Sequence, residues 1–376
     1  MTDRIYAAEF VFPGHPDKLA DAIADSLVEE ASRRERRALV GVEVAVHRNR
    51  VFITGRIACK GARDIDIASL VREVYRTAGY GDGWYPGSEE IEIDTDLCLG
   101  PLEDGEAEYR TLSDDQSICT GFAIDIPETN YLPVESWLAN RLGQNLAGLR
   151  DEHPDLLLGP DGKVAVLVSE HEDSWRLEDF TCSLQQKNGA DDLALHRAVR
   201  VSLEGELALL AEELPGFSAE VPEEIFVNGA GAFDIGGPEG DNGLSGKKLV
   251  VDAYGSRVPI GGGALSGKDF YKVDRAGALH ARRIAKAAVL TGVAKQATVK
   301  LIWFPGDSCA RLFSIENENG DLIDRRPWDD LFDLTLESSG DVWTGSSDLV
   351  RVARYGHFTD NNLDWEKIHF APVSVH

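Results

Sequence analysis

Residues 39–58, LVGVEVAVHRNRVFITGRIA, alternate apolar and polar side chains on either side of HRNR. Period-two alternation puts one set of side chains on each face of a strand, so two such runs with a short polar link predict a β-hairpin. With Arg48-Asn49 at the turn, Val46 faces Val51 and Val44 faces Ile53 on one apolar side. That side has to be covered. The cover is present in the flanking sequence. PDKLADAIADSLVEEA (16–31) carries Leu19, Ile23 and Leu27 at helical spacing, with Ala20, Ala24 and Val28 beside them and Pro16 in the first turn. A second helical run, ARDIDIASLVREVYRTAG, ends near Gly79.

The pattern recurs down the chain. Residues 79–113 read as loops around a strand at EIEID, and 134–150 as a helix. GKVAVLVSE is a strand and ALHRAVRVSLEGELALLAEEL a long helix. KKLVVDAYG then reads as a strand, DRAGALHARRIAKAAVLTG as a helix and ATVKLIWF as a strand. Helices and hairpins recurring about every hundred residues predict α+β modules of similar size, and 376 residues suit two or three domains.

A net charge of −27 repels phosphate backbones and anionic lipid, which argues against nucleic-acid and membrane partners. Cys59, Cys98, Cys119, Cys182 and Cys309 are scattered and odd in number, without C-x-x-C spacing, so neither a zinc site nor a disulfide framework is expected. MTDRIYAAEF lacks the basic and apolar parts of a signal peptide, and no apolar run reaches membrane-spanning length; a cytoplasmic protein is expected.

Against that charge, four of the twelve lysines, Lys247, Lys248, Lys268 and Lys272, crowd into one short span among glycines. Glycines allow close backbone approach to an anion and lysines neutralise it, so the span can cradle a polyphosphate; the other reading is glycine turns beside solvated lysines. GGALSGK (262–268) has P-loop spacing, but Asp269 stands where a P-loop needs Ser or Thr, and the next helix starts only around Asp274. A P-loop is therefore not expected. Asp274 can cap that helix or ligate Mg²⁺. Asp17 falls in the first turn of its helix, where the dipole favours an acid, and the stripe Asp17, Asp21, Asp25 reads as a solvated helix face.

Together these segments resemble the S-adenosylmethionine synthetases (methionine adenosyltransferases). GHPDKLADAIAD (14–25), GGPEGDNGLSGKKLVVDAYG (236–255), GGGALSGKDFYKVDRAGALHAR (261–282) and YGHF (355–358) are similar to that family's signatures, with DDQSICTGFAID and PDGKVAV in the same order. The resemblance implies three α+β domains with pseudo-threefold symmetry, here 1–98, 112–230 and 231–376, and a homodimer, often paired into tetramers. It implies attack of the methionine sulfur on C5′ of ATP, with tripolyphosphate expelled and cleaved to phosphate and diphosphate. His15, Lys163, Lys247 and Lys268 match catalytic positions, Lys247 replacing the family's Arg. Asp161, Phe233, Asp241, Lys248 and Ala264 match further nucleotide positions, and Asp241 also lies by the amino acid. Asp115 and Lys272 match amino-acid positions, Asp17 and Asp274 the ligands of two Mg²⁺ ions, and Glu43 a K⁺ ligand.

The departures gather at the amino-acid end. Arg56 stands where the family has an acid that contacts the methionine ammonium, and LCLGPLEDGEAEYRTL replaces a Gln-Ser-Pro-Asp-Ile gating loop. FPG precedes His15, Ala232 lacks an Arg, and Ile260 replaces a His. Arg56 is a diagonal neighbour of Glu43 in the hairpin, which allows a cross-strand ion pair. Unpaired, it would repel a substrate ammonium. A methionine analogue as acceptor, or a weak ATP- or tripolyphosphate-hydrolysing homologue, are the alternatives to S-adenosylmethionine synthesis.

Overall fold

The computed structural model describes residues 4–81, 83–328 and 331–368. Its strands are β1 (Arg4–Val11), β2 (Leu39–His47), β3 (Arg50–Ala58), β4 (Glu92–Gly100), β5 (Ser117–Ile124), β6 (Leu158–His171), β7 (Ser174–Gln186), β8 (Phe226–Val227), β9 (Gly243–Leu244), β10 (Gln296–Trp303) and β11 (Arg311–Glu316). They form three sheets, ordered β1-β6-β7-β8, β4-β3-β2-β9 and β11-β10-β5.

The β2–β3 hairpin has the expected register, with Val46 opposite Val51 and Val44 opposite Ile53. EIEID lengthens into β4, which joins β3 in parallel. Helix α1 (Pro16–Arg34) and helix α2 (Ile67–Ala78) bury this sheet's apolar face, and Gly79 closes α2 in the left-handed conformation. Helices Val134–Glu152 and Asp192–Glu213 cover the β1-β6-β7-β8 sheet around a core of its own. Helix Val273–Leu290 lies on β5 and β10 and shares one continuous apolar core with α1. The architecture is α+β in three sheet-and-helix modules, as expected.

Each sheet borrows from a distant part of the chain. β1 pairs with β6, β5 with β10, and β9 with β2. The segments 1–98, 112–230 and 231–376 therefore each lend a strand to another segment's sheet. No helix among the described residues is long and apolar enough to cross a membrane.

One expected strand is absent. Within KKLVVDAYG, Leu249–Asp252 form a single helical turn. Asp252, at the end of this turn, is buried in an ion pair with Lys18 of α1, which holds the turn against that helix rather than along a sheet edge.

Candidate active site

The outer edge of β2 carries the lysine loops. Residues 243–244 pair with Ala45 and Val46 as β9; further along, the Val42 amide donates to the Gly267 carbonyl (3.0 Å) and the Asp269 amide to the Val40 carbonyl (3.2 Å). Two glycine-rich stretches are thereby laid end to end along one strand. The sheet edge that would otherwise be open becomes the frame for Lys247, Lys248 and Lys268.

The acids of α1 fix those stretches in place. Asp17 accepts the Leu244 amide (3.0 Å), Asp21 the Gly246 amide (2.7 Å) and Asp25 the Gly267 amide (2.9 Å). The expectation of a solvated stripe is thus corrected: all three side chains are buried. The physical reason lies in α1 itself, which is apolar or small along one flank of the stripe (Ala20, Ala24, Val28), carries Lys18 on the other, and is buried all round from Pro16 to Val28. Buried carboxylates need donors, and loop amides and cations supply them. Lys18 pairs with Asp21 and Asp252, and Arg275 with Asp25. Gly243 lies so close to the Pro16 carbonyl that a Cβ there would overlap it.

Around Asp17 stand Lys247 at 3.5 Å and Lys248 at 3.3 Å, while its Oδ2 has no hydrogen-bond partner. His15 is the N-cap of α1, its Nδ1 accepting the Asp17 amide at 3.2 Å. Burial, then the charges of Lys163 and Lys248, push the imidazole down to about 3, so the ring is neutral and Nε2 carries its proton. Lys163 projects from β6, exposed. On the same strand, buried Asp161 accepts the Gly237 amide at 2.7 Å. Burial raises Asp161 to about 6 against that bond and the Lys163 charge, and Asp241 raises it further. Asp241 also acts on His15, so this acid lies near both. Phe233 accepts the Gln186 amide through its carbonyl, at the entry to the Gly237 turn.

The second cluster centres on Asp274. Its Oδ2 takes Lys268 Nζ at 2.5 Å, and its Oδ1 takes the Ser117 hydroxyl (2.6 Å) and the Gly263 amide (3.0 Å). Burial alone would raise this carboxyl, but the Lys268 and Ser117 contacts outweigh it and hold it below its ordinary value. Asp274 lies in the first helical turn, and Lys272, not Asp274, occupies the cap position. The clusters abut where Gly246 faces the Ala264 methyl. No hydrogen bond or ion pair joins Asp17's cluster to Asp274's among the described residues. Asp269 is a structural acid, buried against Arg110 and accepting the Val40 (2.7 Å) and Tyr271 (2.8 Å) amides, which accounts for its place in a stretch that is not a P-loop.

Among the residues matched to amino-acid positions, Lys272 pairs with Asp114, not Asp115, and the Asp115 carboxylate accepts the Gln116 amide. Glu43 accepts the Ser245 hydroxyl at 2.7 Å. The Glu43–Arg56 ion pair does not form. Arg56 turns instead to Glu106 (2.7 Å) and Glu103 (3.7 Å), because residues 103–106 fold back beside β3 and their carboxylates come closer than the diagonal neighbour. Sequence reasoning missed Ser117, Arg275 and Glu106. For Arg275 the available signal was a cation beside Asp274 in an otherwise buried helix; for Ser117 and Glu106 no local signal exists.

No group of three or more His, Cys, Asp or Glu among the described residues forms a ready metal cage. Mg²⁺, however, uses one or two carboxylates and completes its shell with phosphate oxygens and water. Asp17, whose Oδ2 makes no hydrogen bond and lies 3.3 Å from Lys248 Nζ, fits that demand once Lys248 turns to a phosphate, and Asp274 fits it once Lys268 does.

Models of the S-adenosylmethionine synthetase N-terminal and C-terminal domains match residues 3–97 and 235–367. The chain is 33% identical to an S-adenosylmethionine synthase of Prochlorococcus marinus, over 98% of this chain and 97% of that one. It is 32% identical to one of Staphylococcus epidermidis, over 97% and 96%. The solved structure of an unusual S-adenosylmethionine synthetase from Campylobacter jejuni superposes with a TM-score of 0.83 at 26% identity, covering 97% of each chain. With likeness of this extent added to the acid-and-lysine cradle, the chain belongs to the S-adenosylmethionine synthetase family.

Proposed function

We propose that this protein transfers the adenosyl group of ATP to the sulfur of L-methionine. The sulfur lone pair forms a bond to C5′ as the C5′–O5′ bond breaks, and the triphosphate leaves with the electron pair. Water then cleaves it to phosphate and diphosphate. Such a displacement needs positioning and charge stabilisation more than proton transfer. The carrying observation is the cradle itself: Lys247 and Lys248 at Asp17, Lys268 at Asp274, and a neutral His15 in the field of Lys163 and Lys248.

In this reading Lys163, Lys247, Lys248 and Lys268 hold phosphate oxygens, and His15 donates from Nε2 towards the leaving oxygen. Asp161, Phe233, Asp241 and Ala264 position the nucleoside. Asp115, Asp241, Lys272 and Arg56 border the amino acid. Asp17 and Asp274 would hold two Mg²⁺ ions and Glu43 a K⁺ ion; bound there, they neutralise triphosphate charge. A homodimer, alone or paired into a tetramer, is the assembly proposed. An apolar hollow of about 580 Å³ beside Phe226 and Val250 supports self-association. The location proposed is the cytoplasm.

An altered acceptor loses its main support, because Arg56 is neutralised by Glu106 and Glu103 rather than standing as a bare cation. Incubation with ATP, Mg²⁺, K⁺ and L-methionine should give S-adenosylmethionine, phosphate and diphosphate in equal amounts. ADP formation, or phosphate release indifferent to any amino acid, would overturn the reading.

A further inference from the structure

The stretch that stands where the family keeps a gating loop is tied down at both ends and in the middle. It leaves β4 at Gly100, whose carbonyl accepts the Cys59 amide at 3.0 Å. Its middle is a helical turn, Glu106–Tyr109, held to β3 by the Glu106–Arg56 pair at 2.7 Å. At its far end the Ser113 amide donates to the Asp307 carbonyl and the Gly306 amide to the Ser113 carbonyl, both at 2.8 Å. Tyr109 stays exposed, so polar ties rather than apolar packing hold the turn.

A further tie is an ion pair shut away from water. Arg110 is only 5% exposed and pairs with Asp269, itself 2% exposed. The same guanidinium donates to the Ala38 carbonyl at 2.9 Å and lies over the Tyr271 ring, 4.9 Å from its centroid. Separating such a pair strands a buried charge, so the stretch cannot swing open without a large cost. Asp269 falls in the chain between Lys268 and Lys272. Its carboxylate accepts the Val40 (2.7 Å) and Tyr271 (2.8 Å) amides, and its carbonyl accepts the Lys272 amide (3.2 Å). What Arg110 grips is therefore the backbone that carries both lysines.

Resting on the functional reading above, we propose that Arg110 is a positioning residue. It locks residues 101–112 as a fixed wall of the active site rather than a lid, and through Asp269 it holds the Lys268–Lys272 backbone in register with that wall. A lid becomes ordered at each turnover and draws on substrate binding to do so. Here Arg110 does that ordering when the chain folds, and the wall stands with or without substrate.

Hydrogen-exchange mass spectrometry on the full chain tests this, without ligand and with Mg²⁺, L-methionine and the β,γ-imido analogue of ATP. In the wild type, ligands should change exchange over residues 106–113 by no more than about twofold. The double variant Arg110→Gln/Asp269→Asn removes both charges and strands neither. It should speed exchange there about 10- to 100-fold and make it ligand-dependent. Its ATP KM should rise about 5- to 30-fold. Arg110→Lys, which keeps the charge without the fork, should fall between. Helix Asp192–Glu213, on a separate core, should exchange as in the wild type, which a general loss of stability would not allow. Wild-type protection that rises about tenfold or more with ligand would make the stretch a lid and overturn the proposal. Wild-type exchange and ATP KM in the double variant would overturn it equally. A wild type that forms no adenosyl product would overturn the reaction alone, because the exchange comparison decides the wall without it.

Discussion

Arg275 places two amino groups on the two carboxylate oxygens of Asp25, each at 2.8 Å, with neither side chain exposed to solvent. The same guanidinium holds the Lys268 carbonyl at 2.8 Å, and the same carboxylate holds the Gly267 amide at 2.9 Å. One buried pair therefore joins α1 and helix Val273–Leu290 to the backbone that carries Lys268.

Breaking this pair strands a buried charge. Asp25→Asn should cost about 3–5 kcal/mol of unfolding free energy, read from urea denaturation. Arg275→Lys should also lose stability, because a point charge cannot reproduce the fork. A midpoint unchanged in both variants would contradict the role assigned to the pair.

Gly246→Ala tests the loop geometry. Gly246 has φ +74° and faces the Ala264 methyl, so an alanine there is strained and overlaps its neighbour. Strain of about 1–2 kcal/mol is expected. Taken up by displacement of the lysine loop, it should raise the ATP KM about 5- to 30-fold in a protein that still folds. Unchanged ATP kinetics would show that the loop's position is immaterial.

Lys268→Ala should lower kcat about 100- to 1,000-fold, the usual cost of losing one preorganised partner for developing charge. The Asp274 carboxyl should also titrate higher, since Lys268 is among the groups holding it down. Transfer of a γ-phosphate by the wild type, abolished in this variant, would instead indicate a kinase.

The pH dependence follows from two groups shifted in opposite directions. His15 falls to about 3 in the fold, so its contribution to stability is present above its ordinary value of 6.5 and lost as pH falls from there towards 3. Asp161 rises to about 6, so its contribution is present below its ordinary value of 3.8 and lost as pH rises through 6. Ring-resonance NMR should find no titration of His15 between pH 5 and 9. A His15 midpoint near 6.5 would contradict its burial among lysines.

Much of this fold was legible because its signals are local. The hairpin register is fixed by alternation on two adjacent strands, and α1 by spacing within sixteen residues. The Asp17, Asp21, Asp25 stripe was misread because one spacing serves a wet face and a buried ladder alike. What decides between them is Leu244, Gly246 and Gly267, more than two hundred residues away. Val-rich KKLVVDAYG looks like a strand until Lys18 claims Asp252. At Arg56 the diagonal geometry was right, but a competing acid from beyond β4 has no spacing rule that would reveal it.

At the centre of the account is a pocket of lysines and acids that withdraws the intact triphosphate from C5′. ATP labelled with ¹⁸O at the bridging 5′ oxygen, turned over with L-methionine and followed by mass spectrometry, tests it most directly. All of the label should leave with the phosphate products. Label retained on the nucleoside would mean that a phosphorus–oxygen bond breaks instead, and the proposed reaction would be wrong.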